Sequence, residues 1–120
     1  MSVCYHVGDK DVRPWGTWEV IAAGSNYIVK KIVVMPNQQL SLQLHHHRDE
    51  HWIFVAGTAE VTLNDRIFEA PANTPVFIQA KQRHRVANRT KEPVVFIEVQ
   101  TGETLDENDI VRLQDDYGRA

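Results

Sequence analysis

Between residues 17 and 99 the chain runs as short stretches in which apolar and polar positions alternate or apolar residues cluster. They lie at 17–22, 27–35, 40–46, 51–56, 60–63, 67–69, 75–78, 83–87 and 93–99. Turn-forming clusters separate them, namely Gly24-Ser25-Asn26, Pro36-Asn37, Gly57-Thr58, Asn64-Asp65 and Lys91-Glu92-Pro93. Glycine, asparagine and proline accept or impose backbone angles that end a strand. Many short strands at close spacing, with no amphipathic helical pattern between them, predict an all-β antiparallel sandwich or barrel. Residues 1–16, which include Arg13-Pro14-Trp15-Gly16, read as an ordered N-terminal arm or turn, 17–102 as the barrel and 103–120 as a tail. In that tail Asp106-Glu107-Asn108-Asp109 is placed to open a short C-terminal helix running through Leu113, with Asp109 three residues before Arg112. Trp15 and Trp18 are read as packing residues.

Length and composition narrow this to one domain, 1–120, with one core: 120 residues, 42% of them hydrophobic. A net charge of −3 and a pI near 6.0 give no basic footprint for nucleic acid. No apolar run approaches the ~18 residues of a membrane-spanning helix. The opening MSVCYHVGDKD has no apolar signal core. The single cysteine, Cys4, has no intrachain partner and reads as a bystander thiol, so a cytoplasmic location is expected. There is no phosphate-cradling glycine loop, no GxSxG and no CxxC.

The chemistry concentrates in Pro36–Gly57, PNQQLSLQLHHHRDEHWIFVAG, which holds four of the six histidines. On an extended strand Gln43, His45 and His47 share one face, and Leu42, Leu44 and His46 the other. A turn then brings Glu50 back beside them. Further on, His84, Val86 and Asn88 share a face. If both faces look into the barrel, Gln43, His45, Glu50 and His84 surround one point. Two imidazoles, a carboxylate and an amide oxygen suit a borderline divalent cation with open positions, zinc first, with cobalt, manganese, nickel or iron able to take similar geometry. Taken singly, each histidine is equally readable as a solvated loop residue or a hydrogen-bonded core residue. His6, His51 and Trp52 read as packing or surface residues, Trp52 having the parity of Glu50.

The spacing resembles the two cupin motifs, G-x5-H-x-H-x3,4-E-x6-G and G-x5-P-x-G-x2-H-x3-N. Asn37, Gln43, His45, Glu50 and Gly57 stand in register with the first, and Asn73, Gln79, Lys81, His84 and Asn88 with the second. Gln43 stands for the usual histidine, Asn37 for a glycine, and Gln79 and Lys81 replace the Pro-x-Gly turn. Lysine enters the left-handed region less cheaply than glycine, so the turn leading to His84 is where altered geometry is expected. More narrowly, RPWG at 13–16, VKKI at 29–32, LSLQLHHHRDEHW at 40–52, GTAEV at 57–61, IEVQTG at 97–102 and DIVRLQDDYGR at 109–119 are similar to the cupin domain of type II phosphomannose isomerases. That domain is usually the C-terminal part of a bifunctional mannose-1-phosphate guanylyltransferase, and no GGxGxR-like loop of the transferase half occurs here. The resemblance implies a double-stranded β-helix (jelly-roll barrel) and a stand-alone, metal-dependent isomerase of mannose 6-phosphate and fructose 6-phosphate. In type I phosphomannose isomerases, too, the zinc ligands are Gln, His, Glu and His.

Such an isomerisation passes through a cis-enediol and needs a base, an oxyanion stabiliser and a phosphate anchor. Glu98 is a proton carrier if its side of the strand at 93–99 faces inward, and a solvated residue if it faces outward. His47, on the Gln43/His45 face, is a second candidate proton carrier, equally readable as a strand-end residue. Lys30 is placed to meet a substrate oxygen, with Lys31 as the alternative inward residue. Arg85, Arg119 and Arg13 are the candidate phosphate anchors, each also readable as a surface arginine. The expected partner is a small sugar phosphate, with no nucleic acid and no membrane, and a homodimer is expected from class analogy. The competing readings are a metal-dependent oxygenase, a non-catalytic sugar-phosphate-binding cupin, and a cupin isomerase or epimerase of another sugar.

Overall fold

The computed structural model describes residues 5–106 and 108–117, which leaves Cys4 and Arg119 outside the described residues. Its strands are β1 (Lys10–Arg13), β2 (Gly16–Ala23), β3 (Tyr27–Val34), β4 (Leu42–Leu44), β5 (Asp49–Ala56) and β6 (Ala59–Leu63). They continue with β7 (Arg66–Ala70), β8 (Pro75–Ile78), β9 (His84–Ala87), β10 (Val94–Thr101) and β11 (Val111–Gln114). Two antiparallel sheets result, ordered β1-β2-β3-β10-β5-β8 and β11-β4-β9-β6-β7. The fold is all-β, the double-stranded β-helix of cupins. None of the described residues forms a helix long and apolar enough to cross a membrane.

Alternation explains where the core sits and where it stops. In β10 the buried positions are Val94, Phe96, Glu98 and Gln100, every second residue. In β3 they are Ile28, Lys30, Ile32 and Val34, and in β5 Glu50, Trp52 and Phe54. Register aligns these strands: Phe96 pairs with Ile32 and Phe54, Glu98 with Lys30 and Trp52, and Gln100 with Ile28 and Glu50. One half of the inner face is therefore apolar, and the other carries an inward glutamate, lysine and glutamine. Val61, Val86, Ala59 and Ala70 from the second sheet close over the apolar half. Burying each large apolar side chain there stabilises by about 1.5–3 kcal/mol.

Two expectations are corrected. Among the described residues the short C-terminal helix does not form. Asp109 N donates to Asp106 O at 3.0 Å in a turn, and Val111, Arg112 and Gln114 then pair with Leu44, Gln43 and Leu42 of β4. A few residues supported by one i, i+3 pair make a marginal helix, whereas the open edge of β4 offers a ladder to the same backbone groups. The N-terminal arm is likewise strand in part, β1 pairing with β2 from Lys10↔Glu19 to Arg13↔Gly16.

The turn expected to suffer from the loss of glycine keeps the backbone that glycine would favour. Lys81 has φ +72°, and the other three positions where the cupin motifs carry a spacing glycine are also left-handed, Asn37 at +61°, Gly57 at +76° and Asn73 at +75°. Asparagine tolerates this region; lysine gives up about 1–2 kcal/mol. The Lys81 N–H offsets part of that by donating to His45 O at 2.6 Å, which ties the turn to the candidate site. Asn88, the last motif residue, serves the fold: its Nδ2 donates to Val34 O at 3.0 Å and to Glu92 O at 2.7 Å.

Candidate functional site

β4 ends at Leu44, so the alternation used to place His45 and His47 stops one residue before it is needed. Asp109 decides the geometry instead. Its Oδ1 accepts the His46 N–H at 2.8 Å, its Oδ2 the His47 N–H at 2.9 Å, and its carbonyl oxygen the His45 ring Nδ1–H at 2.6 Å. His45 is turned inward and buried, while His46 and His47 are exposed. Burial alone would raise the Asp109 pKa; the two backbone N–H groups outweigh it and hold the carboxyl below its ordinary 3.8. A lowered carboxylate pKa adds stability that is whole above pH 3.8 and is lost as pH falls through the lower folded value. Asp109→Ala is therefore expected to cost about 1–2 kcal/mol at neutral pH, discounted for partial exposure. In urea melts the gap from the wild type should stay constant above pH 3.8 and narrow below it. A gap that ignores pH would show that the carboxylate is not what holds the loop.

His45, Glu50 and His84 converge, with one ligand atom from each lying within 4.8 Å of the others. His45 Nε2 is 3.1 Å from Glu50 Oε2, and the His45 and His84 rings lie 4.9 Å apart. A carbonyl oxygen only accepts, so the Asp109 carbonyl fixes the proton of His45 on Nδ1, and the Gln82 carbonyl, 3.0 Å from His84 Nδ1, does the same there. Both Nε2 atoms are left with lone pairs directed at the cluster. His84 Nε2 is buried with no hydrogen-bond partner. Burial, opposed by Glu50 and assisted by His45, pushes the His84 pKa down to about 4, so the ring is neutral at pH 7. Burial raises Glu50, but the Arg48 guanidinium beside it outweighs this and holds the carboxyl well below its usual range. A bare buried imidazole nitrogen, a second imidazole lone pair and an ionised carboxylate fit a divalent metal ion. Gln43 pairs with His84 across β4 and β9, and its Oε1 lies 3.4 Å from the Ser41 hydroxyl.

Beside the cluster lies a cavity whose lining includes the cations Arg13, Lys30, Arg48 and Arg112, the carboxylate Glu98, and the amides Gln43 and Gln100. The Lys30 Nζ sits 4.0 Å from the Tyr5 ring centroid and 4.4 Å from that of Trp18. Glu98 faces inward and its Oε1 accepts from Gln100 Nε2 at 2.6 Å. Burial, reinforced by the charge of Glu50, raises the Glu98 pKa against the opposing pull of Lys30 and Arg48. Arg13 lines the cavity while pairing with Asp11 at 2.9 Å.

Two candidates are placed elsewhere. His47 does not line the cavity, because the Asp109 clamp turns the chain after His45. Arg85 is a strut whose Nε donates to Leu40 O at 2.9 Å and whose terminal nitrogen donates to Gln114 O at 3.2 Å. Arg48 was missed, although it shares the extended-chain parity of Glu50 and Trp52. It donates through Nε to Glu50 Oε2 at 2.9 Å, while Trp52 Nε1 donates to Oε1 at 2.9 Å. Arg112 was legible only once β11 was known, and nothing in the local sequence marked Asp109.

A family model described as mannose-6-phosphate isomerase C-terminal matches residues 3–115. The chain belongs to this family. As a member of the mannose-6-phosphate isomerase C-terminal family it is 50% identical over 108 residues to alginate biosynthesis protein AlgA of Pseudomonas aeruginosa, covering 90% of this chain and 22% of that protein. It is 44% identical over 116 residues to mannose-1-phosphate guanylyltransferase ManC of Salmonella typhimurium, covering 97% of this chain and 24% of the relative. The chain thus spans less than a quarter of the length of these curated relatives. Among solved structures, an oxalate decarboxylase from Bacillus subtilis superposes with a TM-score of 0.79 at 16% identity, over 88% of this chain and 30% of the other. A double-stranded β-helix protein from Klebsiella pneumoniae does so at 0.69 and 18% identity, over 92% and 90%. At these identities the likeness concerns the fold.

Proposed function

We propose that this domain interconverts mannose 6-phosphate and fructose 6-phosphate through a cis-enediol, with a divalent metal, zinc first, held by His45, Glu50 and His84 and completed by Gln43. The observation that carries the reading is the cavity: four cationic side chains and one inward carboxylate line it beside a ready ligand cluster. An anionic sugar suits that charge balance, and one carboxylate with a raised pKa suits proton transfer near neutral pH. When bound, the ion supplies Lewis-acid polarisation of sugar oxygens. Glu98 takes the proton from C2 of the open-chain aldose and returns it to C1. Lys30, held between two aromatic faces, stabilises the developing oxyanion, and Arg13 with Arg112 holds the phosphate. Gln100 Oε1, buried with no partner, is an acceptor for a substrate hydroxyl.

The test is a coupled assay for fructose 6-phosphate formation by the 120-residue chain. Metal-stripped protein should be inactive and should recover on adding zinc or cobalt. Folded, metal-loaded protein that binds mannose 6-phosphate without turnover would replace the isomerase with the non-catalytic binding reading.

A further inference from the structure

The three ligand residues are not in contact with the cavity that would deliver an ion to them. His45, Glu50 and His84 are each at most 3% exposed and do not line it, whereas Arg48 does. The Arg48 guanidinium reaches from the cavity wall to the same atoms an ion would use, Glu50 Oε2 at 2.9 Å and His45 Nε2 at 3.1 Å. Its side chain is 8% exposed. The single Nε2 lone pair of His45 cannot face a guanidinium and a divalent ion together, and two cations packed beside one carboxylate oxygen repel. We propose that Arg48 is a resident cation that closes the ligand cluster of the metal-free protein and must swing into the cavity before an ion can bind.

This inference rests on the reading that the cluster takes a divalent ion. It also explains how Glu50, a fully buried carboxylate, persists without one, since an isolated buried charge is costly and Arg48 neutralises it. Exchanging guanidinium for ion keeps Glu50 paired at both ends of the process. The space that receives the displaced side chain contains Glu98, whose charge already acts on Arg48. Opening then precedes binding. The loading rate should level off at high metal concentration, and the apparent affinity should be reduced by the open fraction.

The experiment follows the Arg48 Nε–H by NMR in wild-type protein while zinc is added. In the metal-free protein this proton is held on a buried carboxylate and should exchange slowly; one equivalent of zinc should shift it and expose it to exchange. Arg48→Met should make zinc uptake linear in zinc concentration and tighten the dissociation constant, measured by chelator competition, by about tenfold or more. If that variant does not fold, Arg48→Lys, which keeps a charge but lacks the fork, should bind zinc more tightly than wild type. An Nε–H signal unchanged with zinc bound, or a wild-type loading rate that stays linear, overturns the gate and leaves the metal site standing. Zinc binding to neither wild type nor variants overturns both.

Discussion

Glu50→Gln is expected to empty the metal site and destabilise the domain by about 3–5 kcal/mol, the cost of leaving one member of a buried ion pair without its partner. Glu50 receives Arg48 Nε and Trp52 Nε1, both at 2.9 Å, and faces His45 Nε2 at 3.1 Å. Glutamine keeps the volume and an acceptor for Trp52 but removes the charge with which the Arg48 guanidinium is directly paired. For a chain of this length the loss corresponds to a fall of about 10–20 °C in Tm. Metal content should drop well below one per chain, and the proposed mannose 6-phosphate turnover should be lost with it. The sign of the pH dependence follows from the lowered pKa of Glu50. Its contribution is complete above the ordinary value of 4.5 and disappears as pH falls through the lower folded value, so the two proteins converge only in acid. A variant that melts like the wild type and holds as much zinc would refute the role given to this carboxylate.

Glu98→Gln should produce the opposite division of effects. Glu98 touches the cavity, its oxygen accepts from Gln100 at 2.6 Å, and glutamine at this position preserves an acceptor there. The proposed proton carrier is removed, so kcat should fall by about 10²- to 10⁴-fold while metal content and KM change little. Stability should not fall. A carboxyl with a raised folded pKa stabilises fully below its ordinary 4.5 and loses that contribution as pH rises through the folded value. At neutral pH the neutral isostere is therefore at least as stable as the wild type. The acid limb of the wild-type pH–rate profile should lie above 4.5 and be absent from the residual activity of the variant. Wild-type turnover in the variant would remove Glu98 from the mechanism and leave the metal cluster untouched.

The strand pattern was readable because a strand repeats every two residues, and a repeat that short is complete within a single run. The inward set Val94, Phe96, Glu98 and Gln100 is visible in the chain as one parity, and the structure buries all four. The same parity holds Arg48 with Glu50 and Trp52, so strand alternation alone brings Arg48 to the site. Alternation does not place His47, because β4 ends at Leu44. Beyond Leu44 the backbone N–H groups of His46 and His47 leave the ladder for the Asp109 carboxylate, more than sixty positions away.

The family membership, the all-β class and the identities of the residues with metal-binding chemistry are properties of the chain as written, since they depend on residue type and short spacing. Tertiary structure decided which of those residues share a volume. The pairing of β11 with β4 set Arg112 beside Gln43 in place of a helix, and the Asp109 clamp turned His45 in and His47 out. The strut bonds of Arg85 held it against backbone carbonyls, and the Arg48 guanidinium came to rest on the very atoms the spacing had reserved for a metal. Each of these outcomes turns on hydrogen bonds and charge pairs between groups brought together by strand register or by a loop's exact path, and neither has a signature in local periodicity.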